Sequence, residues 1–107
     1  MRILIADDER PARGELRELL SDLIQNAQFV EVASGTEAIE AMSSQEFDIL
    51  FVDINLGDMM GTTVASAARK LQPEAAIVFA TAYSDHAVKA DEIGAMDYIL
   101  KPFEAER

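Results

Sequence analysis

The sequence predicts an α/β fold, a doubly wound parallel sheet with helices on both faces, from three observations. Apolar runs of strand length alternate with helically spaced apolar stripes from end to end, the alternation expected of such a sheet. Four runs end in short polar residues: Asp7-Asp8 after Ile3-Leu4-Ile5-Ala6, Asp53 after Ile49-Leu50-Phe51-Val52, Thr81 after Ile77-Val78-Phe79-Ala80, and Lys101-Pro102 after Tyr98-Ile99-Leu100. The 107 residues contain no linker, repeat or low-complexity tract, so a single domain is expected.

The first strand is expected over Arg2–Ala6, a short apolar run of the kind buried on both faces. A helix over Pro11–Gln25 carries Leu16, Leu19, Leu20, Leu23 and Ile24 on one stripe, with Pro11 suited to its first turn. The second strand, Phe29–Ala33, holds Glu31, which an edge position tolerates. Ser34-Gly35-Thr36-Glu37 reads as a capping box that opens a second helix, with Ala38, Ile39 and Met42 facing inward. The third strand is Ile49–Asp53. A third helix starts at Met60 or Gly61, uses Val64, Ala67, Ala68 and Leu71, and cannot pass Pro73. Strands at Ala75–Ala80 and Asp97–Leu100 flank a fourth helix, Asp85–Ile93, which has the poorest stripe and ends at Gly94.

Composition narrows the partners. With 20 acidic and 9 basic residues the formal net charge is −11, and the pI is near 4.3. Nucleic-acid affinity rests largely on basic side chains against phosphates. No Lys/Arg cluster provides them, so direct nucleic-acid binding by this chain is not expected. The lack of cysteine excludes disulfides, thiolate metal sites and a Cys nucleophile. No apolar stretch approaches about 20 residues and no signal-peptide pattern opens the chain. A soluble cytoplasmic protein without membrane contact is the expectation.

Ligands of parallel α/β sheets bind at the carboxyl ends of the strands. The four runs would deliver three carboxylates, a hydroxyl and an ammonium to that crevice, a set suited to a divalent cation and a phosphoryl group. Two unit charges about 4 Å apart repel by roughly 4 kcal/mol at an effective dielectric near 20, so Asp7, Asp8 and Asp53 need a cation to sit together. Oxygen donors without His or Cys favour Mg²⁺, or Mn²⁺, over Zn²⁺. Asp53 could then serve as a nucleophile toward phosphorus, with Thr81 and Lys101 as clamps on the phosphoryl oxygens. Each residue also has a plainer reading. Asp7-Asp8 suit a helix N-terminus, Asp53 a strand-end turn, Thr81 a loop and Lys101 a solvated surface. His86 and Met59-Met60 have only plain readings.

These residues resemble the receiver domain of bacterial two-component response regulators. The resemblance spans the whole chain and rests on Asp7-Asp8, Asp53 with Gly61 eight residues on, Thr81, Tyr98 and Lys101-Pro102-Phe103. The wording is most similar to LytR/AlgR-type receivers, through residues 6–13, residues 80–84 and Ala87-Val88-Lys89-Ala90. The resemblance implies a flavodoxin-like five-stranded sheet of order 2-1-3-4-5. It implies that Asp53 accepts a phosphoryl group from a sensor histidine kinase or acetyl phosphate. Asp8, Asp53 and the backbone carbonyl of Asn55 would hold Mg²⁺, with Asp7 acting through water. Thr81 and Lys101 would bind the phosphoryl oxygens, and Thr81 with Tyr98 would form the switch. A cis Lys101–Pro102 bond is implied as well. Gly57, where a proline is usual, implies a looser loop, and Asp91 stands at a commonly aromatic position. The partners implied are the kinase, an output domain or downstream protein, and a second copy through the helix 4/strand 5 face. No external turnover substrate is expected, so the chain is read as a self-phosphorylating and self-dephosphorylating module rather than an enzyme.

Two other functions compete. An Asp-nucleophile phosphohydrolase needs a nearby carboxylic general acid, and Asn55 stands two residues after Asp53. Loss of any core residue would favour a docking module independent of phosphorylation, and all are present. A fifth helix is expected after Pro102, yet only residues 103–107 remain. The expectation is a C-terminally truncated receiver domain over 1–107 with the fifth helix largely missing and its output domain absent. Its bare apolar patch would favour self-association or marginal stability.

Overall fold

The computed structural model describes residues 1–81 and 97–100, with Thr81 and 97–100 entering through their backbone alone. The elements are β1 (Arg2–Ala6), α1 (Arg10–Leu23), β2 (Gln28–Val32), α2 (Gly35–Ser44), β3 (Ile49–Asp53), α3 (Gly61–Leu71), β4 (Ala76–Thr81) and β5 (Asp97–Leu100). All neighbouring strands pair in parallel, in the order β2-β1-β3-β4-β5. This is the doubly wound α/β sheet expected. The expected fourth helix and the Lys101–Pro102 bond lie outside the described residues.

Strand alternation divides the core between the two faces. Leu4, Ala6, Leu50, Val52, Ile77 and Phe79 point to one side, where Ala38 and Met42 of α2 and Val64, Ala65 and Ala68 of α3 cover them. Ile3, Ile5 and Phe51 point to the other, against Leu16 and Leu20 of α1. Burying each large aliphatic side chain contributes about 1.5–3 kcal/mol. The strands are apolar on both faces because both faces are covered.

Element boundaries shift by one or two residues. Helix α1 begins at Arg10 and closes at Leu23, where the Ile24 N–H bonds the Leu20 carbonyl and Asn26 turns the chain at φ 62°. Its last turn reaches the rim where β1 and β2 begin, so Leu23, expected on the buried stripe, is 69 % exposed. Glu31 on edge strand β2 takes Arg17 Nη1 at 2.7 Å and Arg13 Nε at 3.5 Å, both from α1. The Ser34 cap forms as expected: its hydroxyl accepts from the Glu37 N–H at 3.1 Å. The Glu37 carboxylate reaches back to the Ala33 N–H at 2.8 Å, one residue before the cap.

A buried glutamine braces the end where β3 and β4 begin. Gln72 Oε1 accepts from the Phe47 N–H at 2.7 Å, and its Nε2 donates to the carbonyls of Met42 (2.9 Å) and Gln45 (2.6 Å). The side chain thereby ties the end of α3 to the chain between α2 and β3.

Candidate phosphoryl and metal site

Strand order reverses between β1 and β3: β1 leads outward to β2, and β3 leads the other way to β4. Helices leave such a switch point on opposite faces, which opens a crevice at the strand ends. Asp7-Asp8 follow β1 and Asp53 ends β3 at this place. One carboxylate oxygen from each of the three lies within 4.8 Å of the others. The three aspartates named from the sequence are therefore together.

Their environments differ. Asp7 is 3 % exposed, Asp53 is half-buried and Asp8 is exposed. Asp7 Oδ1 accepts from the Glu9 N–H at 2.9 Å, and the Asp7 N–H bonds the Val32 carbonyl at 3.1 Å. The bond to Glu9 closes a turn ahead of α1, whose N-cap is Glu9 and which has no side-chain cap bond, so Asp7 shapes the approach to the helix rather than capping it. Arg13, from the second turn of α1, donates Nη1 to the Asp7 backbone carbonyl at 2.6 Å. That bond pins the β1–α1 connection to the helix it leads into.

The loop after β3 is closed tightly. Asn55 Oδ1 accepts from the Gly57 N–H at 3.0 Å, and the Leu56 N–H bonds the Met59 carbonyl at 3.1 Å. Gly57 has φ +86°, which proline, fixed near −65°, cannot adopt. Gly57 therefore permits a tight turn here that a proline at this position would forbid. A Cβ on Gly57 would lie 3.8 Å from Asp8 Oδ2, so this loop forms one wall of the acidic crevice. Gly61 starts α3 so close to β3 that a Cβ there would overlap the Asp53 carbonyl oxygen.

The remaining predicted residues divide between two cases. Thr81 ends β4 and pairs with Leu100, while Tyr98 pairs with Phe79; only their backbone is described. Lys101 lies outside the described residues. Two contributors went unrecognised in the sequence. Arg13 acts at a distance of six residues, a spacing with no local signature. Asp58 binds the start of α2, 22 and 23 residues away: its carboxylate accepts from the N–H groups of Gly35 (2.9 Å) and Thr36 (3.0 Å) and from the Thr36 hydroxyl (2.8 Å). Those bonds hold its pKa below the ordinary 3.8, the Gly35 bond contributing most.

The acidic donor set, without His or Cys, fits a hard divalent cation such as Mg²⁺. Comparison with known proteins agrees with this arrangement. The family model described as the response regulator receiver domain matches residues 3–107. The chain is 46 % identical over all 107 residues to the sensory transduction protein LytT of Enterococcus faecalis, covering 44 % of that protein. It is 44 % identical to the sensory transduction protein LytR of Staphylococcus haemolyticus, again over its whole length and covering 42 % of the relative. The chain thus spans less than half the length of these relatives. Among solved structures, the response regulatory domain of mrkE from Klebsiella pneumoniae superposes with a TM-score of 0.90 at 33 % identity, covering 100 % of this chain and 88 % of that one. A response regulator from Burkholderia pseudomallei, solved with a phosphorylated aspartic acid, calcium ion and citrate, gives 0.86 at 28 % identity over 98 % of this chain and 62 % of that one. With the switch-point aspartates and these likenesses together, the chain belongs to the response regulator receiver domain family, on the LytR/LytT side of it.

Proposed function

We propose that this chain is a phosphorylation-dependent switch in which Asp53 accepts a phosphoryl group from a sensor histidine kinase or from acetyl phosphate. The observation that carries this reading is the convergence of the Asp7, Asp8 and Asp53 carboxylates at the switch point of the sheet. An Asp53 oxygen would attack phosphorus while the bond from phosphorus to the donor's nitrogen or carboxylate oxygen breaks. The departing atom keeps the electron pair, and Asp53 becomes an acyl phosphate. Asp8, Asp53 and the Asn55 carbonyl would hold Mg²⁺, with Asp7 acting through water. The ion, when bound, neutralises charge at the carboxylates and on the phosphoryl oxygens.

Thr81 and Lys101 would bind the phosphoryl oxygens, and the response would pass through Thr81 and Tyr98 to the helix 4/strand 5 face. The phosphorylated Burkholderia pseudomallei neighbour supports the acceptor assignment, and the LytR relative named a transcriptional regulatory protein in Staphylococcus aureus supports an output domain acting on transcription. A second copy docked through the helix 4/strand 5 face, a cytoplasmic location and the absence of an external turnover substrate complete the proposal. Among the described residues no helix is long and apolar enough to cross a membrane.

Incubation with acetyl phosphate and Mg²⁺, followed by intact-mass and peptide mass spectrometry, tests the acceptor. One phosphoryl group on Asp53, absent in Asp53→Asn, is expected. A phosphoryl group mapped to another residue overturns the assignment.

A further inference from the structure

The bonds from Asp58 to α2 span 22 and 23 residues and hold the loop that walls the acidic crevice. From the geometry we infer that Asp58 is a positioning residue for the metal and phosphoryl site, holding the Asn55–Gly57 turn in place by clamping the loop to the N-terminus of α2. The inference rests on the proposed role of that site.

The clamp has two parts. The Asp58 carboxylate takes the Gly35 and Thr36 N–H groups in the first turn of α2 and the Thr36 hydroxyl. Charged acceptors on helix N-terminal N–H groups make strong, directional bonds. Beside it, the Met59 side chain lies against Gly35 so closely that a Cβ at Gly35 would overlap Met59 Cγ and Sδ. The loop is thus both bonded and packed onto α2. Its other side is the turn in which Asn55 Oδ1 takes the Gly57 N–H, with Asp8 Oδ2 3.8 Å from the Cβ position of Gly57. Helix α2 is itself anchored through Ala38 and Met42 in the core. A rigid element therefore stands behind the loop, and Asp58 is its point of attachment. Residues that orient a metal's ligands through hydrogen bonds commonly set its affinity as well.

The test is a calorimetric MgCl₂ titration of the full chain and of Asp58→Ala, Asp58→Asn and Thr36→Val, each with a thermal melt to show that it is folded. Asp58→Ala is expected to weaken Mg²⁺ binding by about three- to ten-fold, less than the roughly 10–100-fold loss that follows removal of a partner bonded directly to a metal ligand. Asp58→Asn, which keeps one acceptor, should fall between it and the wild type. Thr36→Val, which keeps the charge and loses one bond, should weaken binding measurably. A purely electrostatic role makes Asp58→Asn equal to Asp58→Ala and leaves Thr36→Val unchanged, and that pattern overturns the positioning role. Equal affinity in all four proteins also overturns it, while leaving the site reading intact. Failure of the wild type to bind Mg²⁺ removes the site reading and the clamp with it.

Discussion

The carbonyl oxygen of Asp53 lies against the α-carbon of Gly61, in the space a Cβ would occupy. The first turn of α3 is thereby packed onto the end of β3, and any side chain at this position must push the two apart. Gly61→Ala is expected to cost at least the roughly 1–3 kcal/mol typical of overpacking. It should also slow phosphoryl uptake by displacing Asp53. A urea midpoint equal to that of the wild type would show that the contact yields without cost.

Three carboxylates within 4.8 Å make the crevice a place where cation binding and folding are linked. Mg²⁺ at 100 times its dissociation constant should stabilise the chain by about 2.7 kcal/mol if it binds only the folded state. Asp8→Ala should remove more of this gain than Asp7→Ala, because one Asp7 oxygen already serves the Glu9 N–H. Denaturation curves with Mg²⁺ and with a chelator provide the comparison, and equal losses in the two variants contradict the ordering.

Asp58 gives a pH signature. Its pKa is lowered in the folded chain by the bonds from Gly35 and Thr36. A lowered pKa contributes stability above the unfolded value and loses it as pH falls through the folded one. The stability gap between wild type and Asp58→Asn should therefore be constant at neutral pH and close below pH 3.8, the ordinary aspartate value. Thermal melts of both proteins between neutral and acidic pH measure it, and a gap that widens on acidification reverses the predicted sign.

Gln72→Leu should destabilise the fold by about 3 kcal/mol, since it leaves the buried Phe47 N–H and two carbonyls without this partner. Mg²⁺ affinity should stay within error of wild type, because the brace stands at the opposite end of the sheet. A parallel loss of Mg²⁺ binding would mean that the two ends are coupled.

The strands were legible because their neighbours are apolar on both sides: Ile3 and Leu4 face opposite helices and both are fully buried. The strand-end aspartates were legible because they recur at the ends of successive apolar runs, although each alone also suited a helix N-terminus or a turn. Leu23 misled because helical spacing does not record where the sheet stops. Arg13 and Asp58 were invisible for a different reason: each acts on backbone groups, and backbone partners leave no mark in composition or spacing. The turn at Gly57 was not legible, since its positive φ becomes apparent only when Asn55 closes the turn beneath it.

The brace at Gln72 and the acidic crevice lie at opposite ends of the same strands, and this polarity sets what each end tolerates. A residue inserted between α2 and β3 disturbs hydrogen bonds but leaves the order of β3 and its terminal Asp53 intact. An insertion between Val52 and Asp53 turns the carboxylate to the other face of the sheet, because successive strand residues alternate sides. A change of length at one rim therefore costs stability, whereas the same change at the other costs the carboxylate its place.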